Sequence, residues 1–86
     1  MDFSQAQKFH KRALITGSFG QDGSYLIEYL AAKNYKITAT YYPKAKMPDY
    51  LLPFKNRVEF IPLDITDFKA FKKILTQHFY DEIYNY

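Results

Sequence analysis

The 86-residue sequence contains no cysteine. This absence excludes a disulfide framework and a thiolate metal site, and it suits a reducing compartment. Residues Met1 to Lys11 mix polar, charged and isolated apolar side chains, so they lack the continuous apolar stretch of a signal peptide or a membrane span. We therefore expect a cytoplasmic protein with no membrane partner.

Clusters of charge and of metal ligands are also missing. The formal net charge is +3, but the lysines are scattered and make no stripe of interleaved basic and aromatic residues, so no nucleic-acid partner is predicted. His10 and His78 stand at no recognisable spacing from a serine or a carboxylate. They are interpreted as ordinary surface or helix histidines, and no metal is predicted.

A short chain with 48% hydrophobic and 20% aromatic residues has the composition of one small globular domain. Its apolar patterns predict strands at 12–16, 36–42, 57–62 and from 81, and helices at about 22–33 and from 68. Asn34 is expected to end the first helix. Phe68, Phe71, Ile74, Leu75 and Phe79 are expected to line one face of the second helix, and Asp64 to Asp67 to cap it.

This alternation predicts an α/β fold: half of a Rossmann-type, doubly wound parallel sheet with about four strands and two main helices. Residues 1–11 are interpreted as a polar lead-in, and residues 12–86 as a partial dinucleotide-binding domain that stops at its fourth strand. Pro43, Pro48 and Pro53 predict a loop between the second and third strands. Within it, Tyr50, Leu51, Leu52 and Phe54 are interpreted as a small packing cluster.

The sequence has only three glycines, and all lie between the first strand and the first helix. Gly17 suits a sharp turn, Gly20 lets the backbone approach a phosphate, and Gly23 lets the helix pack closely on the strand. The spacing is Gly-x-x-Gly-x-x-Gly, and no Gly-Lys-Ser/Thr of a Walker loop follows. The predicted cofactor-binding segment is thus Gly17, Ser18, Phe19, Gly20, Gln21, Asp22 and Gly23. The Asp22 side chain is expected to point away from the phosphates, towards backbone or ribose, or to cap the helix. The alternative interpretation of residues 17–23 as a whole is a glycine-rich turn that binds no ligand.

The residues from Ala13 to Leu26 resemble the N-terminal signature of GDP-mannose 4,6-dehydratases, in the extended short-chain dehydrogenase/reductase superfamily. The continuation Gln-Asp-Gly-Ser-Tyr at 21–25 is its distinguishing part. Residues 63–67 and 81–85 are similar to the family's segments after the third strand and at the fourth. The resemblance implies that Asp64 contacts the exocyclic amine of adenine and that Ile65 makes a backbone contact, whereas Asp64 taken alone is as consistent with a helix-approach cap.

The region after the second strand bears on the choice of cofactor. An NAD site commonly has an acidic residue about 20 residues past the glycines, and none occurs here before Asp49. NADP is therefore predicted, with NAD second. Lys44 or Lys46 can pair with the 2′-phosphate, or both can be solvated surface lysines. Tyr42 and Pro43 stand where the resembled family usually carries arginines.

The resemblance implies a lyase of nucleotide-sugar metabolism, which oxidises C4 of GDP-mannose, eliminates water across C5 and C6, and returns the hydride to C6. The catalytic Tyr-x-x-x-Lys pattern of short-chain dehydrogenases occurs twice, at Tyr29 to Lys33 and at Tyr42 to Lys46, and both matches are interpreted as chance. No catalytic residue is therefore assigned. A GDP-sugar partner is expected only of a longer product. The alternatives are an inactive nucleotide-binding fragment, which self-associates into a homo-oligomer through its open sheet, and another NAD(P)-dependent sugar-nucleotide epimerase or reductase.

Overall fold

The computed structural model describes residues 10–86, so the interpretation of the first residues as a lead-in lies almost wholly outside it. Strands and helices alternate along the chain and confirm the predicted α/β class. The elements are β1 (Arg12–Thr16), α1 (Gln21–Ala32), β2 (Lys36–Tyr41), a 3₁₀ helix (Asp49–Phe54), β3 (Val58–Pro62), α2 (Phe68–Gln77) and β4 (Glu82–Asn85).

The four strands form one parallel sheet in the order β3-β2-β1-β4. The chain therefore moves outward from β1 through β2 to β3, and then returns past β1 to place β4 on the other side. The direction of winding changes between β1 and β4. In open α/β sheets, ligands bind beyond the carboxyl ends of the strands at such a switch point.

The central strand explains why the helices cover both faces of the sheet. Successive side chains of a strand point to opposite faces. Ala13 and Ile15 pack in the cluster that holds Ile27 of α1, whereas Leu14 packs with Ile74 of α2. Within residues 10–86, no helix has both the length and the apolar character needed to cross a bilayer.

The ends of both helices follow the predicted chemistry. Asn34 has φ of +63°, and its N–H donates to the Ala31 carbonyl at 3.1 Å, which confirms that a left-handed asparagine closes α1. The Asp67 side chain accepts the N–H of Ala70 at 3.1 Å and so caps α2. Among the residues between the third strand and α2, it is Asp67 rather than Asp64 that serves as the cap.

Two aromatic predictions for α2 are wrong. Phe71 and Leu75 pack against the sheet as expected. Phe68, however, is largely exposed, and so is Phe79, which follows the end of α2. The buried face of α2 is thus shorter than its sequence pattern indicates.

A 3₁₀ helix occupies part of the segment that its prolines predict to be a loop. Leu51 of this helix is buried and Phe54 packs against the main core, as the packing interpretation requires. Tyr50 and Leu52 are instead more than half exposed. Since Pro53 lies in the last turn and a proline supplies no N–H, only a short helix forms.

Candidate functional site

Gly17 makes the turn that leads from β1 towards α1. Its φ of +68° lies in the left-handed region, which residues with a Cβ atom rarely adopt. A Cβ at this position would also lie 2.8 Å from the carbonyl oxygen of Tyr86. Both the backbone conformation and the approach of the residue after β4 therefore require glycine here.

Gly23 lets α1 pack directly on that turn. A Cβ at Gly23 would lie 2.8 Å from the Gly17 carbonyl oxygen and 2.9 Å from Cα of Ser18. Both neighbours are backbone atoms, which cannot move aside as a flexible side chain can. The predicted role of Gly23 in close packing is thus confirmed.

Gly20 differs from the other two glycines because a Cβ added there would make only an ordinary van der Waals contact. It is the N-cap residue of α1, with φ of −74° and ψ of 167°, and no side chain caps the helix. The nearest atom to a Cβ placed there would be the Gly17 carbonyl oxygen, at 3.5 Å. The first amides of α1 are consequently left without a side-chain cap, which suits an anion at a helix N-terminus.

The two predicted residues between these glycines hold the turn against the sheet. The Ser18 N–H donates to the Thr40 carbonyl of β2 at 2.9 Å. The Ser18 side chain is fully buried, and its Oγ has no hydrogen-bond partner within residues 10–86. The Phe19 ring stacks on Tyr41 at a centroid distance of 4.4 Å. That these residues contact a cofactor stays a prediction.

Gln21 and Asp22 are exposed in the first turn of α1. A carboxylate there interacts favourably with the helix dipole. Within the described part of the chain, the Asp22 side chain makes no hydrogen bond that would direct it to the backbone. Its predicted orientation towards a ribose stays a prediction.

Asp64 is held by its neighbour Thr66. One carboxylate oxygen, Oδ1, accepts both the Thr66 N–H at 3.0 Å and the Thr66 hydroxyl at 2.7 Å. These two bonds lower the pKa of Asp64 from its ordinary value of 3.8, and the bond from the hydroxyl has the larger effect. The carboxylate is therefore ionised at neutral pH, and its second oxygen remains available to a hydrogen-bond donor.

A small cleft opens at the carboxyl edge of the sheet and joins the predicted regions. It has a volume of about 120 Å³, and we call it the edge cleft. Its lining includes Thr16 and Gly17 at the end of β1, Thr40 and Tyr42 at the end of β2, Ile65 after β3, and Tyr86 after β4. The structure thus brings Gly17 and Ile65 together. Lys44 is exposed and outside this lining.

A larger cleft of about 600 Å³ lies at the opposite edge of the sheet, where Tyr35 precedes β2 and Glu82 begins β4. Size alone would favour it as a site. It lies, however, at the amino ends of the parallel strands, away from the glycine turn and the open N-terminus of α1. The glycine turn and the uncapped amides of α1 therefore favour the smaller edge cleft as the candidate site.

Three residues of the edge cleft region were missed from the sequence. The Thr16 hydroxyl donates to Oδ1 of Asn85, which joins the ends of β1 and β4. The Tyr86 N–H donates to the Thr16 carbonyl at 3.3 Å. The last residues of neighbouring parallel strands lie at one edge, and that rule was the available signal for Thr16, Asn85 and Tyr86.

Comparison with known proteins identifies the family. The model of the family described as GDP-mannose 4,6 dehydratase matches residues 14–86. The chain belongs to this family. GDP-mannose 4,6-dehydratase sdnI of Sordaria araneosa is 34% identical over 76 residues, and a GDP-mannose 4,6-dehydratase of Vibrio cholerae is 37% identical over 83 residues. Each alignment covers 87% of this chain.

Solved structures of a dehydrogenase and of an epimerase are also similar to this chain. A short chain dehydrogenase from Leptospira borgpetersenii, solved with bound NAD⁺, matches with a TM-score of 0.59 at 35% identity over 86% of this chain and 27% of its own. Epimerase Mth375 from Methanothermobacter thermautotrophicus matches with a TM-score of 0.72 at 23% identity over 94% of this chain and 23% of its own, which shows the fold. This member of the GDP-mannose 4,6-dehydratase family spans 14% and 22% of the length of the two dehydratases named above.

Proposed function

We propose that this chain binds NADP as the N-terminal, cofactor-binding portion of a GDP-mannose 4,6-dehydratase. The observation that carries the proposal is the open, uncapped N-terminus of α1 at Gly20. It adjoins the switch point between β1 and β4, which is where a doubly wound sheet binds a dinucleotide.

The pyrophosphate would lie at the start of α1. Backbone N–H groups of the first turn, from Gln21 onward, have no carbonyl partner in the preceding turn and can donate to phosphate oxygens. The positive end of the helix dipole adds an attraction for the same anion. Gly17 and Gly23 contribute indirectly, because they allow the backbone to take the shape that exposes these amides.

The adenosine would lie along the edge cleft. Ile65 lines the cleft, and the neighbouring Asp64 keeps one oxygen free for the exocyclic amine of adenine. Because Thr66 fixes the other oxygen, the carboxylate is oriented before the base arrives. A preorganised acceptor loses less conformational entropy on binding.

The segment after β2 favours NADP over NAD. A carboxylate there would accept from the ribose 2′-hydroxyl and repel a 2′-phosphate. Residues 42–48 contain no Asp or Glu, whereas Lys44 and Lys46 are both exposed. Each lysine offers a flexible point charge rather than the bidentate fork of arginine, so the preference for the phosphate should be modest.

When bound, NADP supplies a hydride acceptor for the hexose and a hydride donor for its dehydrated form. The residues of this chain hold and orient the cofactor. We infer that conversion of GDP-mannose to GDP-4-keto-6-deoxymannose is the activity of a protein with the length of the family's relatives.

Calorimetric titration of the chain with NADPH and with NADH tests the proposal. We expect NADPH to bind more tightly. Replacing Lys44 by Ala should weaken NADPH by about 2- to 5-fold, the range for an exposed ion pair, and leave NADH unchanged. Lys55→Ala, an exposed lysine outside the site, is the matched control. Tighter binding of NADH, or no binding of either cofactor, would contradict the proposal.

A further inference from the structure

Tyr42 lines the edge cleft but has no part in the core. It follows the last residue of β2, and its side chain is 53% exposed. Its backbone carbonyl accepts the N–H of Ala45 at 2.8 Å, which fixes the turn that carries the ring. The ring is thus presented at the cleft by an ordered backbone.

The neighbouring tyrosine shows how different this position is. The half-buried Tyr41 also lines the edge cleft, but its ring stacks on Phe19 at 4.4 Å. Within residues 10–86, the Tyr42 ring has neither a stacking partner nor a hydrogen bond. A large aromatic surface is therefore left open at the rim of a cleft that two further tyrosines, Tyr41 and Tyr86, also line.

The size of the edge cleft limits what can fill it. Its volume of about 120 Å³ equals that of roughly four waters at about 30 Å³ each, and ligand pockets for whole molecules usually exceed about 300 Å³. One planar ring system fits this space, and a whole dinucleotide does not. Aromatic side chains stack favourably on such rings.

We propose that Tyr42 is the stacking platform for the adenine ring. The proposal rests on the proposed function, and it adds to it a residue that contributes to the affinity for the adenine base. Tyr42 and Ile65 line the same cleft, so an adenine held there contacts both an aromatic and an aliphatic surface. Asp64, one residue before Ile65, would accept from the exocyclic amine of the same ring with the oxygen that Thr66 leaves free.

This arrangement divides recognition of the cofactor between two residues. Tyr42 contacts the base, which NADP and NAD share, so it strengthens binding of both without distinguishing them. Lys44 lies beyond the rim and interacts only with a 2′-phosphate. A change at Tyr42 should therefore alter the two affinities by the same factor, and a change at Lys44 should alter their ratio.

Titration of the intact chain with adenosine 5′-monophosphate, NADPH and NADH tests the platform. Tyr42→Ala should weaken all three ligands by the same factor, roughly 5- to 100-fold, as expected for loss of one base–aromatic stack. Tyr42→Phe should bind as the wild type, because stacking needs the ring and not the hydroxyl. Phe79→Ala is the matched control, since Phe79 is 80% exposed and lies outside the edge cleft.

Nuclear Overhauser contacts between the Tyr42 ring protons and H2 or H8 of the bound adenine give a second measurement on the wild-type chain, whatever the folding of the variants. Such contacts, together with the Tyr42→Ala loss, would support the platform. If adenosine 5′-monophosphate binds Tyr42→Ala as tightly as the wild type, the platform is wrong while cofactor binding stands. If the wild type binds none of the three ligands, the proposed function fails and the platform with it.

Discussion

The carbonyl oxygen of Gly17 lies 2.8 Å from the position that a Cβ atom at Gly23 would occupy. The two glycines are six residues apart, yet the absence of a side chain on one lets the backbone of the other fold against it. Gly20, between them, has no such neighbour within 3.4 Å. The fold thus requires the first and third glycines, whereas neither the backbone conformation nor a close neighbour requires glycine at the second.

Gly23→Ala should destabilise the chain. Overpacking against backbone atoms costs about 1–3 kcal/mol, and the higher helix propensity of Ala returns about 1 kcal/mol. We expect the free energy of unfolding to fall by up to about 2 kcal/mol, measured by urea denaturation. A variant as stable as the wild type would show that α1 can move away from the turn at little cost.

Gly20→Ala should weaken cofactor binding and leave the stability of the chain nearly unchanged. Its φ of −74° and ψ of 167° are open to alanine, and the added methyl meets no close atom, so the free energy of unfolding should change by less than about 1 kcal/mol. The methyl would, however, occupy the space in front of the α1 amides. Loss of a charged hydrogen bond predicts roughly 10- to 100-fold weaker NADPH binding by calorimetry. Unchanged affinity would place the phosphates elsewhere.

The order of strands and helices could be predicted because local chemistry marks their ends. Gly17 follows Thr16 directly and ends β1, and Asn34 closes α1 with its left-handed backbone. The end of β2 was predicted one residue too late, at Tyr42. Its true end depends on the neighbouring strand: the last paired residues are Tyr41 and Pro62, and no local signal in the second strand reports where the third one stops.

Contacts between distant residues explain what the sequence left undetermined in the site. Phe19 was predicted on the basis of its place among the glycines, yet its ring stacks on Tyr41, 22 positions away, at 4.4 Å. Asp64 was ambiguous because Asp67 offers the same carboxylate three residues later. Only the observed bonds to Thr66 and to Ala70 assign the two carboxylates different roles.

Thr66→Val should raise the pKa of Asp64 towards 3.8, because it removes the hydroxyl donor that lowers this pKa most. The backbone N–H of Thr66 remains, so the increase should be partial. Carboxyl carbon shifts of Asp64, followed by NMR as a function of pH, measure it. Thr76→Val is the control, since the Thr76 hydroxyl donates to carbonyls within α2. An unchanged Asp64 titration would mean that the hydroxyl does not hold the carboxylate.

The amino edge of the sheet supplies a prediction about pH. Glu82 accepts the hydroxyl of Tyr84 at 2.6 Å and that of Tyr35 at 3.0 Å. The bond to Glu82 and burial raise the pKa of Tyr84 from 10.0 to about 12. In the unfolded chain this bond is absent and the pKa returns to its ordinary value.

A pKa that is raised in the folded state contributes stability below the unfolded value and loses it as the pH passes the folded value. The contribution of Tyr84 is therefore complete below pH 10 and declines between pH 10 and about 12. Tyr84→Phe cannot ionise, so its free energy of unfolding should fall less steeply across this window than that of the wild type, as measured by urea denaturation at successive pH values. Glu82→Gln should return the Tyr84 pKa towards 10.0. The tyrosinate absorbance of Glu82→Gln, minus that of the double variant Glu82→Gln, Tyr84→Phe, isolates the titration of Tyr84 and measures this change. Equal alkaline slopes in the wild type and in Tyr84→Phe would mean that the bond between Tyr84 and Glu82 does not persist in solution.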